Sequence, residues 1–335
     1  MANWDRYTHG LHAIGEGVYA WLQPPGSWGW NNTVLYVAGG ESLLIDTTVD
    51  LPTTQAMLMA MAQAEPAAAR IGTVLLTHWH VDHVHGASSP LLEGSRVVAS
   101  RVCADWMHKL PPAKWLESIA ALEGESRLQM DRLLKNQFDF SGLREVTPTQ
   151  VFEGSVSLSV GGQPVEGVEA KPCHTRSDTI VHLPAVGVVH LGDLVRADHH
   201  VGLQFPFMRN LLAICDTALG WGAQTYVPGH GPLMDRHDLQ RVVDYLRFVQ
   251  DATRRRFDQG LSVDEATDEL ARNLGPYEHY SGAEGLWFTV KMLYCEFAGD
   301  EHDHVRRDYP AYLARQWRLH TQMRQCHPRL FKLAA

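Results

Sequence analysis

The chain has 335 residues, 45% of them hydrophobic and 20% charged, which is enough for one large core and an accessory region. Its formal net charge of -9 at pH 7 argues against nucleic acid or an anionic membrane as main partner, because both favour basic patches. The opening segment has no apolar signal core, and no apolar run reaches about 18 residues, so no membrane span is predicted. The five cysteines are scattered and form no Cys-x-x-Cys pair, which predicts a reduced, cytoplasmic compartment.

The first quarter of the chain predicts three strands, one helix and a further strand. Residues 18–22, 33–37 and 42–45 are short alternating segments separated by glycine and proline, and they predict antiparallel strands. Residues 51–64 are rich in alanine and methionine and predict a helix that packs on the core. The apolar, partly β-branched residues 71–77 then predict a buried strand.

Residues 101–140 predict a helical insert, because three helical stretches are divided by Pro111-Pro112 and by Gly124. The third of these stretches covers residues 126–138. The pattern then returns to strands, over 151–152, 156–160, 165–170, 179–183, 186–191 and 225–227, and to helices, over 209–219 and 237–257.

The end of the chain is helical again, over residues 264–273, 284–297 and 309–325. These helices carry too many apolar residues to be left in water, so we expect them to pack on the core near the insert and to narrow a pocket there. A homodimer built partly from them is compatible with the same pattern. The predicted organisation is a catalytic domain over residues 1–260 and a helical C-terminal extension over residues 261–335.

Residues 77–86 read Thr-His-Trp-His-Val-Asp-His-Val-His-Gly and place four potential metal ligands within six residues: His78, His80, Asp82 and His83. Neutral imidazole suits zinc, and zinc sites combine histidine with carboxylates. The preceding buried strand would hold the first ligand rigidly, and the turn after it would let the others point at one place. A solvated histidine-rich loop is the alternative, and the core strand just before the tract argues against it.

This segment resembles the Thr-His-x-His-x-Asp-His-x-x-Gly signature of the metallo-β-lactamase superfamily, and residues 77–86 match every fixed position. Three later segments resemble the superfamily's further motifs in the expected order: Pro172-Cys-His174-Thr-Arg-Ser-Asp178, His190-Leu-Gly-Asp193 and Pro228-Gly-His230-Gly231. The resemblance covers roughly residues 10–250. It implies an α+β fold, a four-layer αβ/βα sandwich, to which this chain adds the helical insert and the helical C-terminal extension.

The resemblance also implies a metal centre with two Zn²⁺ ions per chain, although Mn²⁺ or Fe²⁺ would suit the same ligands. The implied ligands are His78, His80 and His174 for the first ion, Asp82, His83 and His230 for the second, and Asp193 as a bridge between them. The two ions would generate a metal-bound hydroxide that attacks the substrate, with Asp82 and Asp193 as the catalytic carboxylates.

The second motif departs from the family pattern Gly-His-Thr-x-Gly. Cys173 stands in place of the first glycine and Ser177 in place of the second, so the loop is stiffer at both points. We interpret Cys173 as a small buried thiol rather than a zinc ligand. His85 lies outside the ligand pattern and is expected either behind the ligands or at the surface.

The function expected from the resemblance is hydrolysis of a small ester, lactone, thioester or amide. The carboxylate at Asp193 favours glyoxalase-II-like thioesterases, lactonases and related amidohydrolases over antibiotic lactamases. Two alternatives stay open: a mononuclear iron dioxygenase of the same superfamily, which would leave the second site empty, and a nuclease, which the acidic balance disfavours.

Four aromatic residues near the motifs, Trp28, Trp30, Phe205 and Phe207, are candidates for the substrate pocket. They predict a small, apolar or aromatic substrate. The alternative, that these rings only pack under loops, is equally compatible with the sequence.

Overall fold

The structure, a computed structural model, describes residues 4–134, 137–205, 207–300 and 308–328. Parts of two predicted segments, residues 135–136 of the third insert helix and residues 301–307 and 329–335 of the extension, lie outside these ranges. Among the described residues, every helix is too short or too polar to cross a membrane.

Seven strands form a first sheet in which each strand pairs with its neighbour in the chain. Strands β1 to β4 are antiparallel, and β4 to β7 are parallel. The strands are β1 (Gly10–Gly15), β2 (Val18–Leu22), β3 (Thr33–Ala38), β4 (Glu41–Ile45), β5 (Thr73–Leu75), β6 (Arg96–Ser100) and β7 (Gln150–Phe152). The sequence pattern missed β1, whose two glycines and one histidine give it only a weak apolar alternation.

Five strands form a second sheet with the order β12-β11-β10-β9-β8. All pairs are antiparallel except β11 with β12. The strands are β8 (Ser155–Val160), β9 (Gln163–Ala170), β10 (Asp178–Leu183), β11 (Val188–His190) and β12 (Thr225–Val227).

The two sheets share a buried core, and helices cover their outer faces. In β4, Leu43 and Ile45 pack in the core between the sheets, while Leu44 packs on the helical side, as the two-residue period of a strand requires. The helices are α1 (Leu51–Ala64), α2 (Val81–Val84), α3 (Arg101–Lys109), α4 (Pro112–Ala120), α5 (Gly124–Leu134), α6 (Met208–Gly220), α7 (Arg236–Asp258), α8 (Val263–Arg272), α9 (Glu284–Phe297) and α10 (Tyr309–Cys326). The predicted α+β sandwich with added helices is confirmed.

The insert and the extension share cores with the sandwich and with each other. Trp115 of α4, Met130 of α5 and Leu313 of α10 belong to one buried cluster with Val49 and Val81 of the sandwich. Helices α8 and α9 belong to the same apolar cluster as α6, α7 and the second sheet. The tail therefore packs on the core and against the insert, as its apolar content predicts.

We expect Leu286→Ala to lower the free energy of unfolding by about 2–5 kcal/mol, because this fully buried α9 side chain lies in the cluster that joins the extension to the second sheet. Urea denaturation followed by circular dichroism measures this. As a control, Met59→Ala removes a side chain that is 60% exposed and should change the value by no more than about 0.5 kcal/mol. If the mutation at Leu286 left the unfolding of the sandwich unchanged, the shared core would not stabilise it.

Candidate metal centre

The signature residues lie in loops that follow strands near one edge of the sandwich. His78 and His80 follow β5, and Asp82 and His83 lie in the short helix α2 directly after them. The later residues come from the second sheet: His174 lies between β9 and β10, Asp193 follows β11 and His230 follows β12. A hydrogen bond from the Thr179 N–H to the Thr77 carbonyl (2.8 Å) joins the two sheets at this edge.

The seven predicted ligand residues form two adjacent groups. One contains His78, His80, His174 and Asp193, and the other contains Asp82, His83 and His230. Within each group the ligand atoms lie within 4.8 Å of one another.

Asp193 belongs to the first group and also faces histidines of the second. Its Oδ2 is 3.5 Å from His174 Nε2 and 3.9 Å from His78 Nε2 in the first group, and 3.3 Å from His230 Nε2 in the second. Its Oδ1 is 3.2 Å from His83 Nε2. A single carboxylate therefore faces nitrogen atoms of both groups, which is the geometry that a bridging ligand needs.

The close approach of Asp193 also explains the glycine of the fourth motif. A Cβ atom on Gly229 would lie 1.9 Å from Asp193 Oδ1. Any side chain at this position would displace the carboxylate, so the loop that carries His230 can approach Asp193 only with glycine there.

The donor atoms fit a bound metal ion. His78 Nε2 is buried and lacks a hydrogen-bond partner among the described residues, and the buried His83 Nε2 faces Asp193 Oδ1 at 3.2 Å without a well-aligned hydrogen bond. Buried polar atoms are nearly always satisfied by protein or water, and unsatisfied ones cost free energy. Imidazole nitrogens grouped with carboxylate oxygens are ligands that zinc and related divalent metals bind, so this is a metal-binding His/Asp site.

The charges of the site support the same interpretation. Burial disfavours the charged imidazolium of His230, but the carboxylates of Asp193 and Asp82 outweigh burial and raise its pKa to about 9. Burial also lowers the pKa of His83, but the carboxylates of Asp193, Asp46 and Asp82 outweigh burial and hold this pKa well above the usual value. In the metal-free protein, protons on histidine thus compensate carboxylates that a metal ion would otherwise neutralise.

Asp46 is a functional residue that sequence reasoning missed. Its Oδ2 lies 2.8 Å from His83 Nδ1, which directs Nε2 of the same ring towards Asp193. Asp46 also accepts hydrogen bonds from the Thr77 N–H and hydroxyl, both 2.7 Å. A carboxylate that fixes the orientation of a ligand histidine is a common second layer of metal sites. The only sequence signal was an acidic residue directly after the buried strand β4.

In the second-motif loop, the two residues that replace glycine, Cys173 and Ser177, form hydrogen bonds that hold the loop in place. The Ser177 hydroxyl donates to Glu169 Oε1 (2.6 Å) and lies 2.5 Å from the Ser100 hydroxyl. The Cys173 thiol is buried and donates to the Lys171 carbonyl (3.0 Å), and burial raises its pKa, so it stays protonated. The interpretation of Cys173 as a small buried thiol agrees with this.

His85 is buried rather than exposed, at 4% exposure, with its ring 5.4 Å from that of Trp115. It lies outside both ligand groups. Its place is behind the ligands, beside the helical insert.

The predicted pocket aromatics all pack against protein. Trp28 stacks on Trp115 of the insert (6.1 Å between ring centroids), and Trp30 lies 4.9 Å from Phe138. Phe205 is 2% exposed and lies under the Arg176 guanidinium, and Phe207 lies under that of Arg209. Contact of these four aromatic residues with a substrate stays a prediction.

Solvent reaches the centre from one side. His78 and His83 are fully buried and Asp82 is nearly so, whereas His80, His174 and Asp193 are partly exposed. A cavity of about 550 Å³ between α5 and α10 is lined by Leu128, Trp317 and their neighbours and contains none of the ligand residues. Solvent therefore reaches the group that contains His80 and His174.

The raised pKa of His230 predicts proton release on metal binding. Below pH 9 an ion must displace the proton on His230, and the proton on His83 must also leave, so the apparent affinity falls as the pH falls. We expect a loss of about tenfold per pH unit for each displaced proton between pH 9 and about pH 6. Zinc titrations of metal-free protein against a chromophoric chelator measure this, and a pH-independent affinity would contradict the assignment.

Comparison with known proteins shows which fold and family the chain resembles. A 59-residue segment is 48% identical to the Beta-lactamase-like protein 2 homolog of Drosophila melanogaster, covering 17% of this chain and 20% of that protein. The fold resembles the sec-alkylsulfatase Pisa1 from Pseudomonas sp., with a TM-score of 0.65 and 15% identity over 90% of this chain and 52% of that one. It also resembles a metallo-beta-lactamase from Pontibacter korlensis, with a TM-score of 0.53 and 18% identity over 72% of this chain and 99% of that one.

The chain spans only a fifth of the Drosophila relative and about half of the alkylsulfatase. At this level of identity, the two structures support the fold alone. The family model of the metallo-beta-lactamase superfamily, however, matches residues 27–243, which is more than half of the chain and contains all seven ligand residues. The chain belongs to the metallo-beta-lactamase superfamily.

Proposed function

We propose that the protein is a dinuclear zinc hydrolase that cleaves a small ester, lactone, thioester or amide. The observation that carries the proposal is the place of Asp193, whose carboxylate oxygens lie 3.2–3.9 Å from histidine nitrogens of both ligand groups. One carboxylate between two groups of imidazoles is suited to two neighbouring ions.

Two zinc ions would supply a water that is nucleophilic at neutral pH and would polarise the carbonyl of the substrate. The protein's own residues set the geometry for this chemistry. His83 and His230 hold Asp193 from one side, and His174 faces it from the solvent-accessible side. Burial alone would raise the pKa of Asp82. His83 and His230 outweigh burial and hold this pKa far below its usual value, so the Asp82 carboxylate is ionised at neutral pH. Asp82 can therefore accept a hydrogen bond from an attacking water and orient it.

The substrate is expected to be small and apolar or aromatic. Trp28 and Trp30 lie in the loop beside Asp82, and the insert packs directly on that loop. Phe205 and Phe207 follow Asp193 in the chain, and Phe207 is the better candidate for a substrate contact because it is partly exposed, whereas Phe205 is only 2% exposed. The insert and the extension limit the room around this loop, which favours compact substrates.

Two alternatives receive less support. A mononuclear iron dioxygenase needs only one complete ligand group, whereas here the second group is also complete and buried. A nuclease needs a basic surface for the phosphate backbone, and the chain carries a net charge of -9.

Metal analysis and a substrate panel test the proposal together. We expect metal-free protein reconstituted with excess zinc to retain two ions per chain, because both ligand groups are complete. The same preparation should hydrolyse at least one class in a panel of aryl and alkyl esters, lactones, thioesters and lactams. One retained ion would refute the dinuclear centre. Two ions with no turnover of any class would refute the hydrolase.

Asp193→Ala should remove the bridge and leave two cations close together without their shared carboxylate. We expect loss of at least one ion and a fall in turnover of about 10²-fold or more, through lost electrostatic stabilisation of the transition state. Asp216→Ala, which removes an exposed carboxylate paired with Arg247, is the matched control and should retain both ions. Near-normal turnover with two ions bound to Asp193→Ala would rule out the bridging role.

A further inference from the structure

Backbone groups of two consecutive residues, Gly29 and Trp30, orient two residues of the second group. The Gly29 N–H donates to Asp82 Oδ2 (3.2 Å), and the Trp30 carbonyl lies 3.1 Å from His230 Nδ1. Because a carbonyl can only accept, Nδ1 of His230 carries the hydrogen. The lone pair of a neutral His230 is then on Nε2, which lies 3.3 Å from both Asp82 Oδ2 and Asp193 Oδ2.

These peptide groups are held in place by the end of the helical insert. We call residues 137–140 the insert tip. The Phe138 ring lies 4.9 Å from the Trp30 ring, and the Trp30 indole N–H donates to Gln137 Oε1 (2.9 Å). The tip is itself anchored on the sandwich, since the Asp139 N–H donates to Asp50 Oδ2 (2.9 Å).

Only glycine fits at position 29, beneath this tip. Its φ is +84°, a conformation that side chains other than glycine rarely adopt. A Cβ atom at this position would lie 2.6 Å from two ring carbons of Phe138. The ring therefore packs directly on the peptide whose N–H reaches Asp82.

The first ligand group takes its orientation from other parts of the chain. His78 Nδ1 lies 3.0 Å from the Thr77 hydroxyl. The loop that carries His174 is anchored by the Asn210 side chain, which donates to the Pro172 carbonyl (3.0 Å). The insert tip thus contacts the peptides that orient the second group, while elements of the sandwich orient these parts of the first.

We propose that the insert tip is a positioning element for the second metal site. Phe138 and Gln137 hold the peptides of Gly29 and Trp30, and these peptides hold Asp82 and His230 in the geometry that binds the ion. The inference rests on the proposed dinuclear centre and adds that occupancy of its second site depends on the insert.

Metal binding to Phe138→Ala tests this. Metal-free protein is titrated with Zn²⁺ against a chromophoric chelator and, separately, with Co²⁺ while its visible absorption is recorded. We expect the second ion to bind about 10–100-fold more weakly, which is the usual cost of removing support behind a metal ligand, with the first ion little changed. Phe138→Tyr keeps the ring on Gly29 and should restore most of the affinity.

Phe140→Ala is the matched control. Phe140 is an aromatic residue of the same tip whose ring lies 5.2 Å from Trp115 and 6.1 Å from Phe138, whereas the ring atoms nearest to a Cβ on Gly29 all belong to Phe138. It should lose comparable stability in thermal unfolding and keep the affinity of the second ion. Gln137→Ala changes an exposed side chain, so it tests the same support with little risk to folding, and it should weaken the second ion by a smaller factor.

The outcomes separate the two proposals. Wild-type protein that takes up only one ion overturns the dinuclear centre and this inference with it. Two ions in the wild type and unchanged second-ion affinity in Phe138→Ala and Gln137→Ala overturn the inference alone. An equal loss in Phe140→Ala also overturns it, since the effect would then be a general loosening of the insert.

Discussion

The structure depends on how three carboxylates are accommodated in one buried place. Asp46 and Asp193 each face the His83 ring, at 2.8 Å and 3.2 Å, and Asp82 faces His230 at 3.3 Å. Bringing negative charges together away from water costs free energy unless cations compensate them. In the metal-free protein, His83 and His230 hold protons that compensate them, and their pKa values are raised accordingly. Divalent cations offer a stronger compensation, so the same charges that make the empty site costly provide the driving force for metal binding.

Much of the ligand set is readable from the chain because the ligands come in short motifs. Four of the seven lie within six residues, and the others follow strands that the apolar pattern predicts. The groups that hydrogen-bond to the ligands and orient them cannot be predicted from the sequence in this way. Asp46 meets His83 across 37 residues, and carboxylates after strands are common. The peptides of Gly29 and Trp30 carry no side-chain signature, because any residue has an N–H and a carbonyl.

The same limit explains the differences in the added helices. The helical pattern correctly indicates apolar helices in the insert and the extension, but it includes residues 137 and 138 in the third insert helix, whereas the described part of α5 runs to Leu134 and residues 137 and 138 are not helical. Helical spacing cannot report that Gln137 and Phe138 are used elsewhere, against the loop beside Asp82.

Burial divides the metal centre into two unequal halves. His80, His174 and Asp193 are partly exposed, so the first group meets solvent, whereas His83 of the second group is fully buried. The second group lies beneath a loop that Phe138 and Trp115 cover with aromatic rings. A charged centre in such a place is shielded from water on its covered side, where a lower effective dielectric strengthens the interaction of Asp82 and His230 with any cation. The covered half is thus suited to holding a cation, and the open half is the part of the centre that solvent reaches.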